Sequence, residues 1–237
     1  MLTHKPWNPE SLLWLGCTFM LALAPGAAIA GLFEDGSVAQ MAANVTVLPV
    51  AILVAVAVWF QVNHRFYQSP ISLAAAFGFN RKNTGRCLLL GLATGLGLVL
   101  IAMALALISS LLIKAFGDQA EPQKLVTLIA EESAKQENIG TLIFFVVMAA
   151  AVAPVAEEIL FRGILYPAVK QLGHPRVAVI GTALLFALFH VNLLTFASLS
   201  AVALSLIALY EFTDNLLAPI TAHAVFNACN LIMLIWQ

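Results

Sequence analysis

Six side chains in the second half of this 237-residue sequence have the types and spacing to do chemistry: Glu157, Glu158, Arg162, His190, His223 and Asn227. Glu158 and Arg162 are four residues apart, one above the other on a helix, with the acid N-terminal, the better order for an ion pair. Glu157 points about 100° away round the same helix, so one carboxylate is neutralised by arginine while its neighbour is left for other work. His223 and Asn227 share a face by the same four-residue spacing, and His190 closes the run Phe186-Ala-Leu-Phe-His190. Two imidazoles and a carboxylate are also a sufficient zinc set, here Glu157, His190 and His223, although no HExxH is present. Each part has a plainer reading, as a structural ion pair or as interhelical hydrogen bonds. The combination is more telling, because ionisable groups in apolar helices cost several kcal/mol each to keep.

The elements that must position these groups are apolar throughout. Hydrophobic residues make up 62% of the chain and charged residues only 10%, with a mean hydropathy of +0.96. A soluble domain would carry roughly a quarter charged residues, so lipid must be part of the solvent. The net charge of -1 gives no sign of a nucleic-acid partner. Seven apolar stretches, at about 11–33, 41–62, 87–116, 141–169, 176–194, 196–212 and 216–236, each approach the ~20 residues that cross ~30 Å of hydrocarbon. The expected fold is all-α: a polytopic membrane bundle of about seven transmembrane helices, a single membrane domain over 1–237 whose 141–236 part holds the core helices of the site.

Within the fourth stretch, Pro154 lacks an N–H and is expected to free the carbonyl of Ala150, and Ala149, Ala150, Ala151, Ala153 and Ala156 keep the helix thin. Such a helix suits the interior of a bundle lining a wet cavity. Glu157 lies 13 residues before Lys170, about 20 Å of helix, and His190 lies 14 after Arg176, about 21 Å. His223 is about seven residues, or ~10 Å, into its stretch from the same side, so the groups can converge inside the membrane.

Orientation follows the basic residues. His64, Arg65, Arg81, Lys82 and Arg86 mark the 63–86 loop as cytoplasmic, and Lys170 and Arg176 place the 170–176 loop on the same side. The N-terminus is then cytoplasmic in a multi-pass protein, of the plasma or inner membrane in a bacterium. Lys5, an apolar run and Ala28-Ile29-Ala30 look like a secretory signal, but 11–33 is long enough to span and is read as a retained helix. Residues 121–137 read as a short interfacial helix, with Leu125, Leu128 and Ile129 on one face. Gly91 and Gly95 form a small-xxx-small spacing for close helix approach. Cys17, Cys87 and Cys229 are widely separated and read as packing residues.

Glu157-Glu158-xxx-Arg162, Phe186-xxx-His190 and His223-xxx-Asn227, in this order on three late helices, resemble the CAAX-protease and bacteriocin-processing family of intramembrane glutamyl endopeptidases. The resemblance covers roughly 65–236, most strongly 141–232, and includes the approach Tyr210–Pro219 to the last motif. Where that family tends to carry glycines in its sixth helix, this chain has Ala203, Ser205 and Ala208. The resemblance implies peptide-bond hydrolysis by a glutamate-activated water. Glu157 would be the general base, His190 would help position and deprotonate the water, and His223 and Asn227 would donate to the oxyanion. Glu158 and Arg162 would support the base. No cofactor is expected on this reading, with zinc as the alternative. The expected partners are a peptide or protein substrate, lipid-anchored or not, and membrane lipids. A zinc-dependent metalloprotease, a proton-coupled carrier and a non-catalytic binding or chaperone protein of the same fold remain alternatives, the carrier less favoured for want of an internal repeat.

Overall fold

The structure is a computed structural model and describes residues 2–35, 37–66, 71–79, 83–116, 127 and 139–236. All regular structure among these residues is helical: α1 (Pro9–Ala30), α2 (Val38–Phe66), the short α3 (Leu73–Phe77), α4 (Thr84–Ala115), α5 (Ile139–Gln171), α6 (Pro175–Phe189), α7 (Leu193–Thr213) and α8 (Leu217–Ile235). Six of them (α1, α2, α4, α5, α7 and α8) are long and apolar enough to cross a membrane, and α6 is a shorter apolar helix. The expected interfacial helix at 121–137 lies, apart from residue 127, outside the described residues.

The chain is inverted relative to a soluble protein, as its composition requires. Large apolar side chains such as Leu21, Leu89, Leu100 and Leu107 point outward, while Glu158, Arg162, Thr182, Ser198 and His223 are buried. α1 packs on α2, α2 on α5, α5 on α8, and α8 on α4; α7 bridges α4 and α6. α5 is therefore the inner helix that reaches most of the others.

Two of the local choices are visible in sequence. Asn8 caps α1 by accepting from the Ser11 N–H at 2.7 Å, with Pro9 at the first helical position. Gly91 and Gly95 let α4 lie directly on α8: a Cβ at Gly91 would meet the Ala218 carbonyl oxygen at 2.7 Å, and one at Gly95 would meet that of Ala222 at 2.6 Å. That close approach fixes the helix carrying His223.

The break after α6 falls earlier than the apolar pattern suggests. α6 stops at Phe189 after 15 residues, about 22 Å of helix, whereas α7 runs for 21 residues, about 31 Å. The chain turns through Val191, whose φ of 45° is unusual for a β-branched residue. Asn192 then caps α7 by accepting from the Thr195 N–H at 3.0 Å. Asn192 is a single polar residue between Val191 and Leu193-Leu194, so hydropathy alone blurs a boundary that an Asx cap sets.

One end of the bundle gathers the polar termini. There Lys170 pairs with Glu211, Lys5 with Asp214 at 2.7 Å, and Arg86 lies over the Phe212 ring at 5.2 Å. The N-terminus, the start of α4, the end of α5 and the α7–α8 turn thus share one end, as the alternation of basic loops requires. Gly78, at φ 76°, brings α3 against that turn so closely that a Cβ would sit 1.8 Å from the Asp214 carbonyl oxygen, and the Leu216 N–H donates to the Phe77 carbonyl at 2.9 Å.

Overpacking the α4–α8 contact should be costly. Gly95→Leu is expected to destabilise the protein by about 1–3 kcal/mol in detergent unfolding, whereas Gly97→Leu, with open space at its Cβ, should leave the transition where it is.

Candidate active site

α5 is not a plain α-helix. Two π-helical stretches, Met148–Val152 and Ile159–Leu165, flank the α-helical Ala153–Glu158 that carries both glutamates. In a π turn each N–H reaches the carbonyl five residues back, as the Ala153 N–H does to Met148. The next donor in that register would be Pro154, which has none. The carbonyl left open is therefore that of Ala149, and Asn227 on α8 donates its side-chain amide to it at 2.8 Å. The sequence pointed to the Ala150 carbonyl, four residues before Pro154; the widened turn adds Ala149, five before it, as the carbonyl that another helix must serve.

Glu158 is fully buried, and its Oε1 accepts from the Arg162 guanidinium at 2.7 Å and from His223 Nδ1 at 2.8 Å. Arg162, 1% exposed, also donates to the Ala203 carbonyl of α7 at 3.4 Å and lies over the Phe186 ring of α6 at 4.6 Å. The i,i+4 pair read from the sequence is present. The carboxylate–imidazole bond was not foreseen, because His223 is 65 residues away and its spacing to Asn227 pointed along α8 instead. Glu158 Oε2 is buried and has no hydrogen-bond partner among the described residues.

Glu157 stands differently. Its side chain is 22% exposed, and its Oε2 lies 3.8 Å from His223 Nε2. A carboxylate only accepts, so His223 must donate from Nδ1 to Glu158, and Nε2 is the atom it turns toward Glu157. His223 thus stands between two carboxylates, held by one and facing the other.

His190 sits at the C-cap of α6, where its Nδ1 donates to the Phe186 carbonyl at 2.9 Å. That bond assigns the proton to Nδ1 and leaves Nε2 with a lone pair. His190 and the glutamates are joined through Phe186, whose ring is 5.0 Å from His190 and 5.7 Å from His223. The structure therefore brings Glu157, Glu158, Arg162 and His223 into one cluster, attaches Asn227 to the same helix, and places His190 beside it across an aromatic ring. Among the described residues no group of three or more His, Cys, Asp or Glu side chains is arranged to hold a metal ion. Glu157, His190 and His223 accordingly do not form a ready zinc set.

These features define a class, a polytopic membrane protein with a buried acid–base cluster on its inner helices. Residues 139–229, from the start of α5 into α8, match the family described as type II CAAX prenyl endopeptidase, Rce1-like. This part of the chain is similar to that family, and it contains all six candidate residues. No curated protein and no solved structure matches the chain.

Removing one partner of the buried cluster should be far worse than removing both. Arg162→Met is expected to cost about 3–5 kcal/mol in detergent unfolding, and adding Glu158→Gln should return much of that loss. Equal stability of Arg162→Met and wild type would mean that the pair holds nothing.

Proposed function

We propose that this protein is an intramembrane endopeptidase that hydrolyses a peptide bond with a water activated by Glu157. The observation that carries the reading is the unequal standing of the two adjacent glutamates. Glu158 is buried and committed to Arg162 and His223, whereas Glu157 is accessible and bound by no hydrogen-bond donor within the site. A general base must be reachable and free to accept a proton, and of the pair only Glu157 meets both needs.

The reaction then runs through the chain's own groups. Glu157 takes a proton from water as the water oxygen bonds to the substrate carbonyl carbon, giving a tetrahedral oxyanion. His190, with Nε2 unprotonated, accepts a hydrogen bond that orients that water. Asn227 has one amide hydrogen committed to Ala149 and a second available to the oxyanion. As the C–N bond breaks, the proton on Glu157 passes to the leaving nitrogen. His223 serves better as Glu157's partner than as the oxyanion donor the motif implied: Glu158 orients its ring, and its Nε2 can share a proton with Glu157. The reading requires no metal. The substrate would be a membrane-associated peptide or protein, with the cleaved bond near the cytoplasmic face if the basic loops are cytoplasmic.

Purified protein in detergent, offered a quenched peptide library, tests this. Glu157→Gln should fold normally and lose cleavage by at least about 100-fold, and His190→Ala should lose a large part of it. Wild-type cleavage should survive a strong chelator. Loss with chelator and recovery with zinc would replace the glutamate mechanism by a metal one. Full activity in Glu157→Gln would remove Glu157 from the chemistry.

A further inference from the structure

The residues before α1 lie outside the family match, yet they reach the site helix. Trp7 is 5% exposed, and its indole Nε1 donates to the Gly163 carbonyl in the second π-helical stretch of α5. That carbonyl needs an outside donor for a local reason. The π register, in which the Tyr166 N–H reaches Phe161, gives way here to the closing α-helical turn Tyr166–Gln171, where the donor four residues on from Gly163 would be Pro167, which has no N–H to give. Trp7 therefore does at Gly163 what Asn227 does at Ala149: each supplies, from another element, the hydrogen that a proline withholds.

Gly163 directly follows Arg162, so the carbonyl that Trp7 holds belongs to the turn that aims the guanidinium at Glu158. The fit is close on every side. A Cβ on Gly163 would lie 2.8 Å from Phe77 Cε1, and the Trp7 ring packs on Trp59 and Phe77 at centroid distances of 5.1 and 5.8 Å. The segment is tied down further along. The Lys5 N–H donates to Gln171 Oε1 at 2.6 Å, and Lys5 Nζ, 1% exposed at the residue level, reaches Asp214 Oδ1 at 2.7 Å in the turn before α8. One short strap thus grips α5, which carries Glu157, Glu158 and Arg162, and the entry to α8, which carries His223.

We propose that Trp7 is a positioning residue for the peptidase site: its indole N–H sets the π turn at Gly163 and through it the Arg162–Glu158–His223 geometry. This rests on the peptidase reading above. Trp7→Phe keeps an aromatic ring in the cluster and deletes the donor, with the same loss of ring volume as the Trp59→Phe control. The expected result is a fall in kcat of roughly tenfold, with KM unchanged and the folded fraction preserved, as suits a small misplacement of reacting groups. Pro167→Ala returns a backbone N–H one turn from Gly163, so adding it to Trp7→Phe should restore much of the lost kcat. Trp59→Phe, which removes an indole from the same aromatic cluster but no bond to α5, should leave kcat within about twofold.

The outcomes separate cleanly. No cleavage by well-folded wild type would overturn the peptidase reading itself. Active wild type with equally active Trp7→Phe would overturn the role of Trp7 alone. If Trp7→Phe fails to fold, recovery of folded, active protein by Pro167→Ala supports the proposal, and no recovery overturns it in favour of general packing.

Discussion

A charged carboxylate, a guanidinium and an imidazole meet at one buried oxygen, Glu158 Oε1. In a low-dielectric interior an ion pair survives only when its geometry is good and its remaining hydrogen-bonding groups find partners. Here the partners come from different helices: Glu158 and Arg162 from α5, His223 from α8, the Ala203 carbonyl from α7 and the Phe186 face from α6. The inner four helices are therefore fixed by one polar knot. α4 answers the same demand from outside, through two glycines that let it press α8 inward.

The second constraint is the backbone of α5. Lipid offers no hydrogen bonds, so each carbonyl that a proline or a π turn leaves open must be met by a side chain. Asn227 and Trp7 meet two of them from opposite directions in sequence, one late and one near the start. This is how a helix can carry two acids and an arginine in its middle and still be shaped as needed rather than as α geometry dictates.

Much of this was legible beforehand. Apolar length located the long helices, the Glu158–Arg162 spacing gave the ion pair, and Gly91-xxx-Gly95 gave the α4 contact, because each of these is a short-range pattern with one dominant cause. The early end of α6 was missed because hydropathy does not register an Asn cap in an apolar run. The His223–Glu158 bond joins residues 65 apart, and no periodicity encodes such a distance. Trp7 and the grip of Lys5 were not legible at all, since a strap of a few residues has no period. The roles of the six candidate side chains came from motif resemblance, but Glu157 as the uncommitted carboxylate already followed from the helical spacing that pairs Glu158 with Arg162, a pairing the structure keeps.

The π turns also have a bearing on sequence length. A π turn is an α turn holding an additional residue, so the Met148–Val152 stretch stores slack that a deletion could remove. Loss of one alanine there would let the helix close to ordinary geometry and swing Ile139–Val147 by about 100° about its axis relative to Glu157. The lipid-facing side of that segment would then turn toward the bundle, and Ala149 would rotate out of reach of Asn227. The monotonous Ala149-Ala150-Ala151 is thus a run whose residue count, rather than composition, is under constraint.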